Sequence, residues 1–172
     1  MLQAKELLDH ASRLVANASN SDADYRRAVS ASYYAVFHLI NGAVAEQTCP
    51  PAPHGLRGRF QRGLEHGLMK DTMANFLAHQ SYGNYKKKTG VSCGFSQDIA
   101  DIALAFGELQ DARQLADYDV DDSRGIIDHS WASGWVNRAR LVFDAWNRVR
   151  ATDEAKFFLA SLVFGRKWLK QP

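Results

Sequence analysis

Apolar residues recur at steps of three and four along most of the chain, which is the spacing of one face of an α-helix. The first segment shows this at Ala4, Leu7, Leu8, Ala11, Leu14, Val15 and Ala18. The helix predicted there ends in "NASNSD", a cluster of turn residues whose side-chain oxygens can cap the following helix.

A second helix is predicted over residues 22–46, with two different faces. Its apolar face carries Val29, Tyr33, Val36, Ile40 and Val44. Beside it runs a line of polar residues, here named the polar seam: Arg27, Ser30, Tyr34, His38 and Asn41. Buried polar groups need partners whatever their role, so the seam is either a functional site or a satisfied structural network. Tyr33, Tyr34 and Phe37 are interpreted first as core aromatics.

The same periodicity predicts four more helices. Residues 55–79 are helical but weakened by four glycines, and a helix from Ser96 leads into "LQDARQLADYD". Trp135, Ala139, Val142, Trp146 and Val149 form the apolar stripe of the next one. Thr152 caps an almost wholly apolar last helix that ends near Gly165. No strand pattern occurs, so we predict an all-α fold.

Length and composition limit the classes of protein that fit. A chain of 172 residues is long enough for one core, and 23% charged residues with four prolines are typical of a globular domain. No apolar run approaches the roughly 18 residues of a membrane span, so we expect a cytoplasmic protein. Cys49 and Cys93 stand apart, with neither zinc-ligand spacing nor a disulfide framework.

Charge is distributed unevenly along the middle of the chain. Residues 54–88 carry seven basic and two acidic residues, whereas residues 98–129 carry nine acidic and two basic ones. Lysines 86 to 88 follow Tyr82 and Tyr85, a combination that can bind phosphates and stack bases. The alternative for this segment is a solvated loop.

Three stretches carry a resemblance to a known family. "DYRRAVSASYYAVFH", His54 ahead of a helix with Phe60, and "LQDARQLADYD" resemble the HEPN superfamily, in particular its small stand-alone "Arg … Ala-Asp-Tyr" members. The resemblance covers about residues 2–150 and implies an up-and-down bundle of four to five helices, usually a homodimer. It also implies RNA binding or cleavage, often in a toxin–antitoxin or defence module with a nucleotidyltransferase partner. It implies no metal and no cofactor.

The catalytic HEPN members resemble metal-independent ribonucleases whose motif is an arginine, four to six variable residues and a histidine. Arg113 stands in the arginine position, but Tyr118 occupies the place of the histidine. Tyrosine, with a pKa of about 10, is a poor proton acceptor at neutral pH, whereas histidine titrates near neutrality. The spacings Arg59 to His66 and Arg124 to His129 also match, at a frequency that chance predicts.

These considerations select two groups of candidate residues. The candidate catalytic residues are Arg113, Asp117, Tyr118 and His129. The candidate RNA-binding residues are Arg27, Ser30, His38, Arg57, Arg59, Arg62, Lys86, Lys87 and Lys88. Alternatively, "ADYD" only ends a helix, with Asp117 or Asp119 paired to an arginine of a neighbouring helix.

The resulting prediction is a HEPN-like bundle over residues 1–150 with a helical extension over residues 151–172 that packs on the bundle or on a dimer interface. Arg113 should point into a cleft between the second and penultimate helices and meet the polar seam. RNA binding without efficient cleavage is the first hypothesis, and an active endoribonuclease with an altered site is the second. The apolar last helix and the stripe of Trp135 and Trp146 predict a homodimer.

Overall fold

A computed structural model of the protein describes residues 2–17, 21–49, 58, 61–80, 96–119 and 127–164. Six α-helices account for most of these residues: α1 (Leu2–Ala16), α2 (Asp22–Thr48), α3 (His66–Gln80), α4 (Gln97–Tyr118), α5 (His129–Val149) and α6 (Asp153–Phe164). The described part of the chain contains no strand. The all-α prediction is therefore confirmed.

Side-chain caps set several helix starts where the sequence predicted them. Before α2, the Ser21 amide donates to Asp24 Oδ2 at 2.9 Å and the Asp24 amide donates back to Ser21 Oγ at 3.4 Å. At the start of α6 the Ala155 amide donates to Thr152 Oγ1 at 3.2 Å. These three bonds cap amides at the helix starts, which the regular α-helical pattern leaves without a partner. The predicted end of α6 at Gly165 lies outside the described residues.

The chain divides into two compact units, and the first comprises Met1–Leu39 and Ala105–Asp144. Its core joins α1, α2, α4 and α5 through small side chains: Ala11, Val15, Ala28, Val29, Ala31, Ala112, Ala116, Ala132 and Val136. Alanine at so many contacts allows the helix backbones to approach closely. Tyr33 is fully buried in this unit and its ring meets that of Phe106 edge-on at 5.7 Å.

The second unit comprises Ile40–Leu104 and Ala145–Pro172. Helix α6 packs on α3 through the rings of Phe158 and Phe76, 5.3 Å apart. The start of α4 is fastened in this unit as well, because the Ser96 amide donates to Glu154 Oε2 at 2.8 Å and Arg148 pairs with Asp98 at 2.7 Å. These contacts make α6 part of the unit's core.

The distribution of exposed apolar surface corrects one expectation. Trp146 is only 3% exposed and α6 buries Ala155, Phe158, Leu159, Ser161 and Leu162. The expectation that the apolar last helix and the stripe of Trp135 and Trp146 exceed what one bundle can hide is therefore wrong for Trp146 and for most of α6, because helix packing already hides them. Trp135 is partly buried.

Candidate functional site

Arg113, on the last turns of α4, lies among three tyrosine rings. Its guanidinium carbon is 5.4 Å from the ring centroid of Tyr34, 5.8 Å from that of Tyr118 and 5.9 Å from that of Tyr33. Tyr33 and Tyr34 come from α2, whereas Tyr118 ends α4 itself. At these distances the negative faces of the rings attract the cation. The guanidinium is therefore held in place from several sides.

Asp117 and Ser30 complete what we call the Arg113 cluster: Ser30, Tyr33, Tyr34, Arg113, Asp117 and Tyr118. Asp117 Oδ2 lies 2.7 Å from Arg113 Nε, and Asp117 Oδ1 accepts a hydrogen bond from the Ser30 hydroxyl. The Nε–H is not aligned with Oδ2, so buried Nε has no hydrogen-bond acceptor despite the short distance. The contact is an ion pair without a well-formed hydrogen bond.

The charge of Arg113 is secure in this setting. Burial alone would lower the pKa of Arg113, but Tyr34, Asp117 and Tyr118 raise it above its usual value. The guanidinium is consequently positive at any physiological pH. Tyr118 is 69% exposed, so the cluster opens to solvent on the side of that ring.

The aromatic side of the cluster continues towards His38. The rings of Tyr34 and His38 lie 6.5 Å apart with an interplanar angle of 33°. Burial lowers the pKa of His38 and so favours neutral imidazole. Burial also raises the pKa of Tyr33, with a smaller opposing effect from Arg113. The Tyr33 hydroxyl therefore stays protonated.

The polar seam of α2 divides between different partners. Ser30 meets Arg113 through Asp117, and Tyr34 meets the guanidinium directly. Arg27 is exposed and makes no contact with Arg113 among the described residues. Asn41 belongs to the second unit, where its Nδ2 donates to the Gln61 carbonyl at 3.0 Å.

The sequence did not indicate the role of Arg26, whose guanidinium binds the last carbonyls of α4. Its Nη1 donates to the carbonyls of Asp119, at 2.8 Å, and Ala116, at 3.2 Å, while its Nε pairs with Asp22 at 2.6 Å. The last carbonyls of a helix have no partner within it and attract a cation. The alternative interpretation of "ADYD" as a helix end predicted an arginine partner on a neighbouring helix. The stretch "YRR" on α2 contains two arginines, Arg26 and Arg27, either of which could have been that partner.

His129 occupies a different setting from Arg113. It is the first residue of α5, its ring meets that of Tyr25 edge-on at 6.0 Å, and its Nε2 lies 3.4 Å from Ser133 Oγ. The described residues show no contact between His129 and the Arg113 cluster. Arg124, which matched the motif spacing with His129, lies outside the described residues.

The predicted basic residues are described only in part. Arg62 is exposed. Arg57, Arg59, Lys86, Lys87 and Lys88 lie outside the described residues, so their role in RNA binding stays a prediction.

The first unit also carries a groove of about 820 Å³ beside α5, here named the tryptophan groove. It is lined by Glu108, Asp128, Ser130, Trp131, Gly134, Trp135 and Arg138. The two indoles meet edge-on at 6.2 Å, and Arg138 is fixed by Glu108 at 2.7 Å. Among the described residues, and apart from neighbouring residues of α5 itself, no atom lies within 4 Å of the position that a Cβ on Gly134 would take. The groove therefore has open space at this glycine.

No group of three or more His, Cys, Asp or Glu side chains is placed to hold a metal ion in the ranges given above. No helix there has both the length and the apolar character needed to cross a membrane.

Comparison with known proteins gives one match. A family model described as "HEPN domain" matches residues 1–149. No curated protein and no solved structure matches the chain.

Proposed function

Because the chain belongs to the HEPN domain family, we propose that it binds single-stranded RNA at the Arg113 cluster and that cleavage is not its main activity. HEPN domains have RNA-associated and ribonuclease-like functions in general. The choice between binding and cleavage, and the choice of residues, depends on the geometry of this chain.

One observation supports binding most directly: a fixed cation lies beside an exposed aromatic ring. Arginine is permanently charged and presents a planar fork of donors to a phosphate. Tyr118, at 69% exposure, offers a face on which a base can stack, an interaction that tolerates any base. A single strand can present a phosphate and an unpaired base together, whereas a duplex hides its bases.

The same geometry disfavours efficient cleavage. Cleavage requires a group that accepts and returns protons near neutral pH. Tyr118 stands where a histidine would do this, and Tyr33 has a raised pKa. His129 contacts Tyr25 instead. RNA binding should therefore persist where catalysis is weak.

Variants at Tyr118 separate stacking from proton transfer. Tyr118→Phe keeps the ring and should bind single-stranded RNA within about twofold of the wild type, because stacking uses the ring face. Tyr118→Ala removes the ring and should weaken binding about fivefold or more, since stacking contributes roughly 1–3 kcal/mol per base. Fluorescence anisotropy with a labelled oligoribonucleotide in the presence of a chelator measures both.

The second candidate function is that of an active, metal-independent endoribonuclease. The observation in its favour is His38, whose lowered pKa leaves a neutral imidazole beside Tyr34. Gel electrophoresis of the labelled oligoribonucleotide after incubation with the protein and a chelator distinguishes cleavage from binding alone. Robust cleavage that Tyr118→Phe, His129→Ala or His38→Ala abolishes would establish this function and contradict the first.

We also propose that the protein acts in a toxin–antitoxin or defence module, with RNA and a nucleotidyltransferase as its partners. Family membership is what supports this. A nucleotidyltransferase gene adjacent to the gene of this protein, and co-purification of the two products, are the expected findings. An isolated gene would count against a two-gene module.

HEPN domains often dimerise, and we propose that this chain forms a homodimer through the tryptophan groove. Besides the partly buried indoles of Trp131 and Trp135, α5 presents Leu141 at 59% exposure. Gly134 lies between Trp131 and Trp135 in the sequence. A glycine within a helix lowers helix stability by about 1 kcal/mol relative to alanine. A second helix approaching at Gly134 would account for that cost.

Light scattering should give twice the 19.2 kDa mass of one chain. Gly134→Gln has open space for its Cβ beside α5 among the described residues, and it should shift the protein to monomer by obstructing the second copy. Gly67→Gln is the matched control, since Gly67 also has open space in a helix. A monomeric wild type, or a dimer unaffected by Gly134→Gln, would contradict this interface.

A further inference from the structure

The positive charge at the candidate site is already paired. Arg113 faces the Asp117 carboxylate at 2.7 Å, on its own helix one turn further on. A phosphate that approaches the guanidinium therefore meets a negative charge as well as a positive one. At a few ångströms, like charges repel appreciably even when water screens them.

The arrangement makes this pair easy to open. Its side chains are 20% and 28% exposed, and partly exposed ion pairs contribute little to stability. The Nε–H lacks an aligned acceptor, so the contact between Nε and Oδ2 adds no well-formed hydrogen bond to the ion pair, and the hydrogen bond lost when the carboxylate leaves is the one from Ser30. A phosphate with two oxygens could take Nε–H and an Nη–H together, which the misaligned carboxylate does not.

Arg113 has contacts besides Asp117 that hold its position. The rings of Tyr33, Tyr34 and Tyr118 surround the guanidinium at 5.4–5.9 Å. The cation can therefore stay in place when its counter-ion leaves. Asp117, by contrast, is held from outside the pair, because the Ser30 hydroxyl donates to its Oδ1.

We propose that Asp117 is a competing counter-ion which an RNA phosphate displaces from Arg113, and that Ser30 keeps it in the competing position. The inference depends on the proposed function, since it names the control on RNA binding at the same cluster. Phosphate oxygens replace Oδ2 at the guanidinium, and the Asp117 carboxylate turns towards solvent. RNA affinity is thus set below the value that Arg113 alone would give.

The opposite role for Asp117 is that of a positioning residue. If the carboxylate aligned Arg113 for the ligand, removing its charge would weaken RNA binding. If it competes with the phosphate, removing its charge tightens RNA binding. The sign of a single substitution therefore separates the two roles.

Asp117→Asn is the principal variant, because it removes the charge while keeping an oxygen that can accept from Ser30. We expect it to bind single-stranded RNA about three- to tenfold more tightly than the wild type at low salt. Asp9→Asn is the matched control, since it makes the same charge change at an exposed position on α1. It should change affinity less than twofold.

Two further variants test the route of the effect. Ser30→Ala frees the carboxylate from its holding hydrogen bond and should tighten binding by about twofold, which also provides a test if Asp117→Asn does not fold. In an Arg113→Ala background Asp117→Asn should lose most of its gain, because a competing counter-ion acts only through the cation it pairs with. Thermal melting checks that each variant is folded.

The outcomes separate this inference from the proposed function. If the wild type binds RNA and Asp117→Asn binds equally or more weakly, the counter-ion role is wrong while RNA binding stands. If only Asp117→Asn binds, competition is so strong that it masks the site, which supports the inference. If neither binds at low salt, the proposed function fails and the inference fails with it. An equal gain in the Arg113→Ala background would overturn the route through Arg113.

Discussion

Replacing Arg113 with alanine is expected to weaken the binding of single-stranded RNA by about tenfold or more. Hydrogen bonds to charged groups contribute roughly 1.5–3 kcal/mol each, and Arg113 is the charged group at the centre of the cluster. The loss should be larger than that from any substitution of Tyr118. Arg113→Ala should also lower the slope of log affinity against log salt concentration by about one unit, which is the contribution of one phosphate contact. Anisotropy titrations over a range of salt concentrations measure both quantities.

Two other arginine variants make this result specific. Arg150→Ala removes the same charge from an exposed position and should alter affinity little. Arg113→Lys keeps the charge but not the planar fork, so its affinity should lie between those of the wild type and Arg113→Ala. Equal losses from Arg113→Ala and Arg150→Ala would show that only total charge matters, and would remove the case for a site at Arg113.

Replacing Phe158 with alanine is expected to lower the free energy of unfolding by about 3–5 kcal/mol, the usual range for deleting a buried aromatic ring. Phe158 is fully buried and its ring meets that of Phe76 at 5.3 Å. The cavity would lie between α6 and α3, two helices that the sequence does not bring together by proximity. Chemical denaturation monitored by circular dichroism gives the change in free energy.

Phe164→Ala is the matched control, because it deletes the same ring from the same helix at a position that is 61% exposed. Its cost should stay within about 0.5 kcal/mol. The pair also tests our proposal that residues 151–172 form an extension packed on the bundle, against the alternative that they pack on a dimer interface. A cost below 1 kcal/mol for Phe158→Ala would mean that α6 is not integral to its unit.

Much of the fold could be predicted from periodicity and caps. Val29, Tyr33, Val36, Ile40 and Val44, the predicted apolar face of α2, are all fully buried. Thr152 caps α6 as expected. Such features depend on neighbours within a few residues, so the local sequence determines them.

The candidate site could be predicted only in part. Resemblance pointed to Arg113, Asp117 and Tyr118, and the structure brings them together with Ser30 and Tyr34. The sequence did not show which arginine of "YRR", Arg26 or Arg27, faces α4. Adjacent helical residues point about 100° apart. Arg26 reaches carbonyls at the end of α4 that lie about ninety positions further along the chain, and local sequence patterns carry no information over that separation.

Trp146 shows the same limit for surfaces. Its helical spacing from Trp135 indicated a common stripe, but the structure buries Trp146 fully and Trp135 only in part. Periodicity shows that a face is apolar without showing whether the same chain or a second copy covers it. The uneven charge along the sequence has the same limit. It did not show whether the acidic residues of α4 face a second molecule or their own chain, and in the structure they pair with Arg113, Arg138 and Arg148 of the same chain.

The discontinuous first unit has a consequence for synthesis on the ribosome. Its early part ends at Leu39 and its late part runs from Ala105 to Asp144, so translation must continue for about a hundred codons before the partners of α1 and the first half of α2 exist. At about 5–20 residues per second that interval is roughly 5–20 s. Throughout it, the apolar face of nascent α2 lacks the side chains of α4 and α5 that cover it in the folded unit.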